Sequence, residues 1–238
     1  MARWRVRVEG ASRSLAMLSQ FTPTFVKIVA DHAETYLESQ RFDEAQESGD
    51  VLLAAGELLE TVNLVARLHL DDWHPVACDA IVEARSDGSR HVFKHLTASI
   101  SVSASMTAIP TVLRSDGSVE EGLPQYGPEV EVVTANAPLR EALQLFENPT
   151  WGNLYKTYEV IANALGGPTE IQRRGWATRK QLQQFKHTAQ SPSSIGSAAR
   201  HAVERTAPPS TPMSHSAAKS LLRCMLKNWL TEVLEGRA

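Results

Sequence analysis

Residues 171–190 read IQRRGWATRKQLQQFKHTAQ and hold the densest cluster of side chains able to meet a polyanion. Arg173 and Arg174 precede a turn at Gly175, and Arg179, Lys180, Gln181, Gln183, Gln184 and Lys186 follow it in a stretch of helical composition. Arg and Lys neutralise phosphates, and Gln amides can read base edges. Thr178 can cap the second helix, whose free backbone amides would then face a phosphate. A helix, a tight turn and a second helix of this kind form a helix-turn-helix. The candidate contacts to a nucleic acid or an acidic protein partner are therefore Arg173, Arg174, Arg179, Lys180, Gln183 and Lys186. The competing reading is a solvated charged face on a short surface helix.

Arg200 and His201 are the second pair with chemical potential. An imidazole can move a proton from a ribose 2'-hydroxyl while a guanidinium neutralises the charge of the phosphorane. Consecutive helical residues point about 100° apart, however, so the two do not easily converge on one atom. A pair of ordinary surface residues is the competing reading. Tyr155, Tyr158, Trp176 and Trp229 could stack on bases, but their helical spacing favours core packing.

Other catalytic patterns are absent. The chain has no G-x-G-x-x-G, P-loop, G-x-S-x-G or H-E-x-x-H, so no cofactor is expected. Its eight histidines are scattered, and pairs such as His69 with His74 or His91 with His95 do not make up a full ligand set. No metal site is expected, since tetrahedral sites need three or four convergent ligands.

The net charge of −3 conceals a division. Residues 1–150 carry 12 Lys and Arg against 22 Asp and Glu, net −10, whereas residues 151–238 carry 12 against 5, net +7. The basic part would meet RNA, DNA or an acidic protein surface, or the two parts would attract each other, within a chain or head to tail between chains. With 42% hydrophobic and 21% charged residues the chain is expected to fold rather than stay disordered. Cys78 and Cys224 lie in apolar stretches and read as two buried thiols in a reducing compartment. The opening MARWRVRVEG alternates Arg with apolar residues, unlike a signal peptide or membrane helix. A cytoplasmic location away from membranes is expected.

The elements positioning these residues change character along the chain. Trp4, Val6 and Val8 alternate with Arg3, Arg5 and Arg7, which predicts an edge or outer strand ending at Gly10. Residues 24–39 are rich in β-formers and predict a hairpin turning at Asp31 and His32. Helical spacing from Phe42 to Leu70 predicts one long amphipathic helix. Val76–Ala84 and His91–Leu96 predict a hairpin around SDGS, Ile100 to Met106 a third strand, and a second SDGS at 115–118 a polar loop. Helices are then expected over Ala137–Glu147, from Thr150 to Gly166 and Gly167, over Pro168–Arg174, from Thr178 to about Ala189, from Ser193 to before Pro208, and over Ser214–Glu235. PPSTP after the fifth of these reads as an ordered linker. The fold class is α+β: an N-terminal antiparallel sheet with a long helix, then an all-α bundle. The boundary is expected at Asn148–Pro149, giving an acidic domain over 1–149 and a basic one over 150–238.

WGNLYKTYEVIANAL, FKHTAQ, SAARHA and PMSHSAAKSLL together resemble the helical domain of uncharacterised bacterial proteins and, more loosely, HEPN-type domains of toxin and phage-defence systems. The resemblance covers the C-terminal helical part and none of the N-terminal half. Active HEPN ribonucleases carry an Arg and a His about four to six residues apart on a late helix, meeting across a dimer. Arg179 and His187 are further apart than that, and Arg200 and His201 closer. Arg67 with His74, Arg85 with His91 and Arg90 with His95, separated by six, five and four residues, fit that spacing but lie in the N-terminal half. The resemblance thus implies a binding or scaffolding descendant ahead of a metal-independent ribonuclease. A third expectation is a homo-oligomer assembled through complementary charged faces.

Overall fold

The computed structural model describes residues 3–31, 34–85, 89–94, 112–113, 119–120, 124–203 and 207–236. They fall into two compact units, Met1–Ala66 with Asp72–Val130, and Arg67–Asp71 with Glu131–Ala238. The class is α+β, with a five-stranded antiparallel sheet towards the N-terminus and mostly helices in the C-terminal half.

The first unit contains β1 (Trp4–Glu9), α1 (Ser12–Met17), β2 (Val26–Asp31), β3 (Glu34–Ser39), α2 (Gln40–Asp43), most of α3 (Ser48–His69), β4 (Ala77–Ala84) and β5 (Arg90–Lys94). The short pair β6 (Val112–Leu113) and β7 (Val119–Glu120) and the first turn of α4 (Gly127–Ala135) complete it. The sheet runs β2-β3-β1-β4-β5. Trp4, Val6 and Val8 are buried, as their alternation predicts. The strand itself is central rather than outer, because its other face is matched on both sides by acidic neighbours. Arg5 Nε donates to Glu38 of β3 over 2.6 Å and Arg7 Nη1 to Glu34 of β3 over 2.6 Å. Arg7 Nε donates to Asp79, which a register shift leaves as an extra residue on β4.

The β2–β3 hairpin pairs from Val26 with Ser39 to Asp31 with Glu34. β4 and β5 pair from Ala80 with Lys94 to Ala84 with Arg90. His32, the first SDGS turn at 86–88, the expected strand from Ile100 to Met106 and the second SDGS beyond Arg114 lie outside the described residues.

The single helix expected over Phe42–Leu70 is two helices. Ser39 Oγ accepts from Arg41 N to start α2, and the chain from Asp43 to Gln46 is then drawn onto β1. Trp4 N donates to Asp43 Oδ1 over 2.9 Å and Trp4 Nε1 to Ala45 O over 3.3 Å. A continuous helix would have to surrender those bonds. Downstream, α3 buries Val51, Leu58, Leu59, Val62, Val65 and Ala66 on one face. Neither α1 nor α4 is foreshadowed by the sequence pattern. α4 starts at Gly127 for a steric reason, since a Cβ there would stand 2.4 Å from Thr22 O.

The second unit contains α5 (Ala137–Glu147), α6 (Trp151–Ala164), α7 (Pro168–Arg173), α8 (Arg179–Gln190), α9 (Pro192–Ile195) and α10 (His215–Leu234). Asn136, Thr150, Thr178 and Ser214 cap α5, α6, α8 and α10 through their side-chain oxygens. The sequence places a break at Asn148–Pro149, whereas the units divide between Val130 and Glu131, inside α4. α5 packs on α6, and α10 on both, which joins α5 to the bundle. Asp71 also belongs here: its carboxylate accepts from Arg223 over 2.6 Å and lies 3.8 Å from Lys219 Nζ. Arg223 holds the Asp71 carboxyl below its usual range.

Two further expectations are corrected. Residues 193–203 do not form one helix, since α9 ends at Ile195 and a 3-10 turn ends at Ala198. Gly196, at φ 63°, breaks the helical course, and Arg200 N donates to Ala189 O over 2.9 Å, folding the chain back onto the end of α8. The cysteines are not two buried thiols: Cys78 is half-buried and Cys224 exposed on the polar side of α10.

Candidate nucleic-acid interface

The α7-turn-α8 segment is built around two buried anchors. Ile171 at the end of α7 and Trp176 in the turn are both buried, and Trp176 N donates back to Ile171 O over 3.1 Å. Gly175 makes the reversal at φ 72°, a region where a side chain would be strained. Thr178 and Gln181 then close a reciprocal capping box, which fixes where α8 begins. Leu182, Phe185 and Ala189 bury one face of α8 against the bundle.

The six candidate residues divide by whether a carboxylate meets them. Arg173 grips Glu170 of its own helix, with Nη2 to Oε2 at 2.7 Å and Nε to the same oxygen at 2.9 Å. That hydrogen bond holds the Glu170 carboxyl below its usual range. Arg174 is bonded to Glu232 of α10, whose other oxygen accepts from Trp176 Nε1 over 3.2 Å. It thus acts as a strut joining the α7–α8 turn to the last helix.

Arg179, Lys180 and Gln183 stand on the side of α8 away from its buried residues, and Lys186 borders that side one turn beyond the buried Leu182. At 100° per residue they span an arc of about 120°, which also includes His187. Arg179, Lys180 and Gln183 are exposed, and Lys186 lies half-buried with its Nζ 5.9 Å from the Tyr158 ring. Among the described residues, none of the three cations is in an ion pair. Gln184 is occupied instead, its Nε2 donating to Thr211 O over 2.8 Å. A hollow of about 630 Å³ lies between α8 and the chain at Ala207–Thr211, bordered by Lys180, Gln183, Gln184 and His187. Sequence reasoning missed His187 and this bordering chain. PPSTP carries no periodic signal, and only its hydrogen bond to Gln184 reveals where it lies.

Arg200 and His201 both lie outside any helix. Arg200 Nη1 donates to Glu159 over 2.7 Å, and its guanidinium lies 4.4 Å from the Tyr155 ring. The bond to Glu159 raises the guanidinium pKa further above its ordinary value. Tyr155, Tyr158, Trp176 and Trp229 are all buried, and the first two pack with Trp151 and Phe185 in one aromatic cluster. Their rings are core, as their spacing predicts. Among the described residues, no group of three or more His, Cys, Asp or Glu could hold a metal ion. None of their helices is long and apolar enough to cross a membrane.

No family model, curated protein or solved structure matches the chain.

Proposed function

We propose that this chain is an intracellular bacterial interaction protein, non-enzymatic, whose helical unit holds a polyanion along the open side of α8. Nucleic acid is the favoured ligand, and the α+β unit serves as a platform for assembly or partner binding. One observation carries the reading. Arg179, Lys180 and Lys186 share one side of a single helix without a carboxylate partner among the described residues, while Arg173, Arg174 and Arg200 are each matched by a Glu. Cations already paired gain little from a phosphate, whereas unpaired ones release counterions when a phosphate replaces solvent. Gln183, exposed between them, supplies an amide for a base edge.

The test is fluorescence anisotropy with labelled nucleic acid across a salt series. Affinity should fall linearly on a log–log plot, and replacing Arg179, Lys180 and Lys186 by Ala should flatten the slope by about two to three, or roughly 0.7–0.9 for each lost phosphate contact. Arg173→Ala and Arg200→Ala should leave it nearly unchanged. Absence of binding at about 50 mM salt, or binding indifferent to salt, would overturn the proposal.

A further inference from the structure

The open side of α8 is not a ridge. The chain from Ala207 to Met213 runs beside it, tied by the Gln184 amide to Thr211 O and by Met213 N to Thr188 Oγ1 over 2.9 Å. Helix and chain together wall the hollow of about 630 Å³, with Lys180, Gln183 and His187 on one side and Pro208 and Pro209 on the other. The hollow is open to solvent rather than enclosed. The two walls differ in kind, one offering an ammonium, two amides and an imidazole, the other two pyrrolidine rings beside Ala207, Ser210 and Thr211.

A helix that reads duplex DNA must lie in a major groove about 12 Å wide, and a helix with its side chains is itself about 10–12 Å across. A second stretch of chain, fastened at Gln184 and Thr188, adds bulk to the flank that a duplex would have to clear. A single strand has no such requirement, because its sugars and bases can turn into a concavity while its phosphates follow the cations.

We infer that the hollow beside α8 takes a nucleotide unit of single-stranded nucleic acid. Lys180 meets the phosphate, the Gln183 amide meets a base edge, and Pro208 and Pro209 form the surface against which the sugar or base rests. The inference rests on the reading that α8 binds nucleic acid, and it adds which form is bound and where. A free nucleotide offers the same chemistry as one unit of a strand, so the two sources are separated by experiment.

Four probes are compared at one salt concentration with the full chain: a labelled single strand of about twelve nucleotides free of hairpins, the same strand annealed to its complement, AMP as competitor, and poly-glutamate. The single strand should bind at least tenfold tighter than the duplex. Lys180→Ala should weaken the single strand about five- to tenfold while changing the duplex less than twofold, and Gln183→Ala should act in the same direction. Both side chains are exposed, so folding is retained, and a thermal melt verifies it. Displacement of the strand by millimolar AMP assigns the hollow to a nucleotide in either form, and failure of AMP to compete restricts it to a strand. Equal or tighter duplex binding, or equal losses for both forms in Lys180→Ala, overturns the inference and leaves the α8 reading standing. If neither nucleic acid binds, the α8 reading falls as well. Poly-glutamate binding as tightly as the single strand overturns the inference in favour of an acidic protein partner.

Discussion

Asp31 and Arg90 stand on the two opposite edge strands of the sheet, β2 and β5, yet Arg90 Nη1 is 3.5 Å from Asp31 Oδ2. Four strand spacings in a flat sheet would separate those edges by about 19 Å, further than the two side chains can bridge. The sheet therefore curls towards its charged face. Arg5 Nη1, on the central strand, lies 3.9 Å from the same carboxylate oxygen.

The curl predicts an order of importance among the sheet arginines. Arg90 is 55% exposed, so Arg90→Ala should cost only about 0.2–1 kcal/mol. Arg5 and its partner Glu38 are 17% and 14% exposed, and Arg5→Ala strands a half-buried carboxylate at a cost of about 1–3 kcal/mol. Urea unfolding would measure both, and a larger loss from Arg90→Ala would contradict the geometry.

Asn63 fastens the chain after α3 to the helix. Its Oδ1 accepts from Val76 N over 2.9 Å and from Trp73 Nε1 over 3.0 Å, and its Nδ2 donates to Val76 O over 2.9 Å. Asn63→Leu should destabilise by about 2–4 kcal/mol, because buried backbone and indole partners lose their bonds together. Asn63→Asp should recover part of that loss by keeping the two acceptor contacts. Denaturant midpoints for the three proteins check this.

Glu232 plays the equivalent part in the helical unit. It is 13% exposed and satisfies both Arg174 and the Trp176 indole, while Arg174 Nε is buried without a hydrogen-bond partner. Glu232→Ala should lower stability by about 2–4 kcal/mol, since it leaves a half-buried cation with only the more distant Glu170 carboxylate, 3.9 Å from its Nε. Glu170→Ala, which removes an exposed fork to Arg173, should shift the melting temperature much less. Equal shifts would show that Arg174 relies on Glu170 instead.

The two thiols should differ sharply in reactivity. Burial, with Asp79 and Glu9 adding to it, pushes the Cys78 thiol up to about 11, whereas Cys224 is exposed. Thiolate is the reacting form, so at pH 8 the native protein should show one fast thiol towards Ellman's reagent and the second only after unfolding. Cys224→Ser should abolish the fast phase. Two fast thiols in the native state would refute the placement of Cys78.

Local signals in the chain were sufficient for much of the bundle. The starts of α6, α8 and α10 follow from Thr150, Thr178 and Ser214, because a cap and the amide it satisfies lie three residues apart. The β2–β3 hairpin and the open side of α8 were legible for the same reason, each being a pattern within one short window. The break between α2 and α3 was not, since it depends on bonds to Trp4 about forty residues earlier. Residues 199–203 likewise left the helical course through a bond from Arg200 to Ala189 and an ion pair with Glu159, neither of which has a periodic signature.

The sequence by itself determined the α+β class, the buried stripe of each capped helix, and the positive charge gathered at residues 173–186. Only the tertiary structure decided that β1 is central, that Arg173 and Arg174 are already matched by glutamates, and that PPSTP walls a hollow beside Lys180. Periodicity and caps are set by neighbours along the chain. The partner of a charge and the company of a loop are set by whichever distant segments the packed core brings alongside.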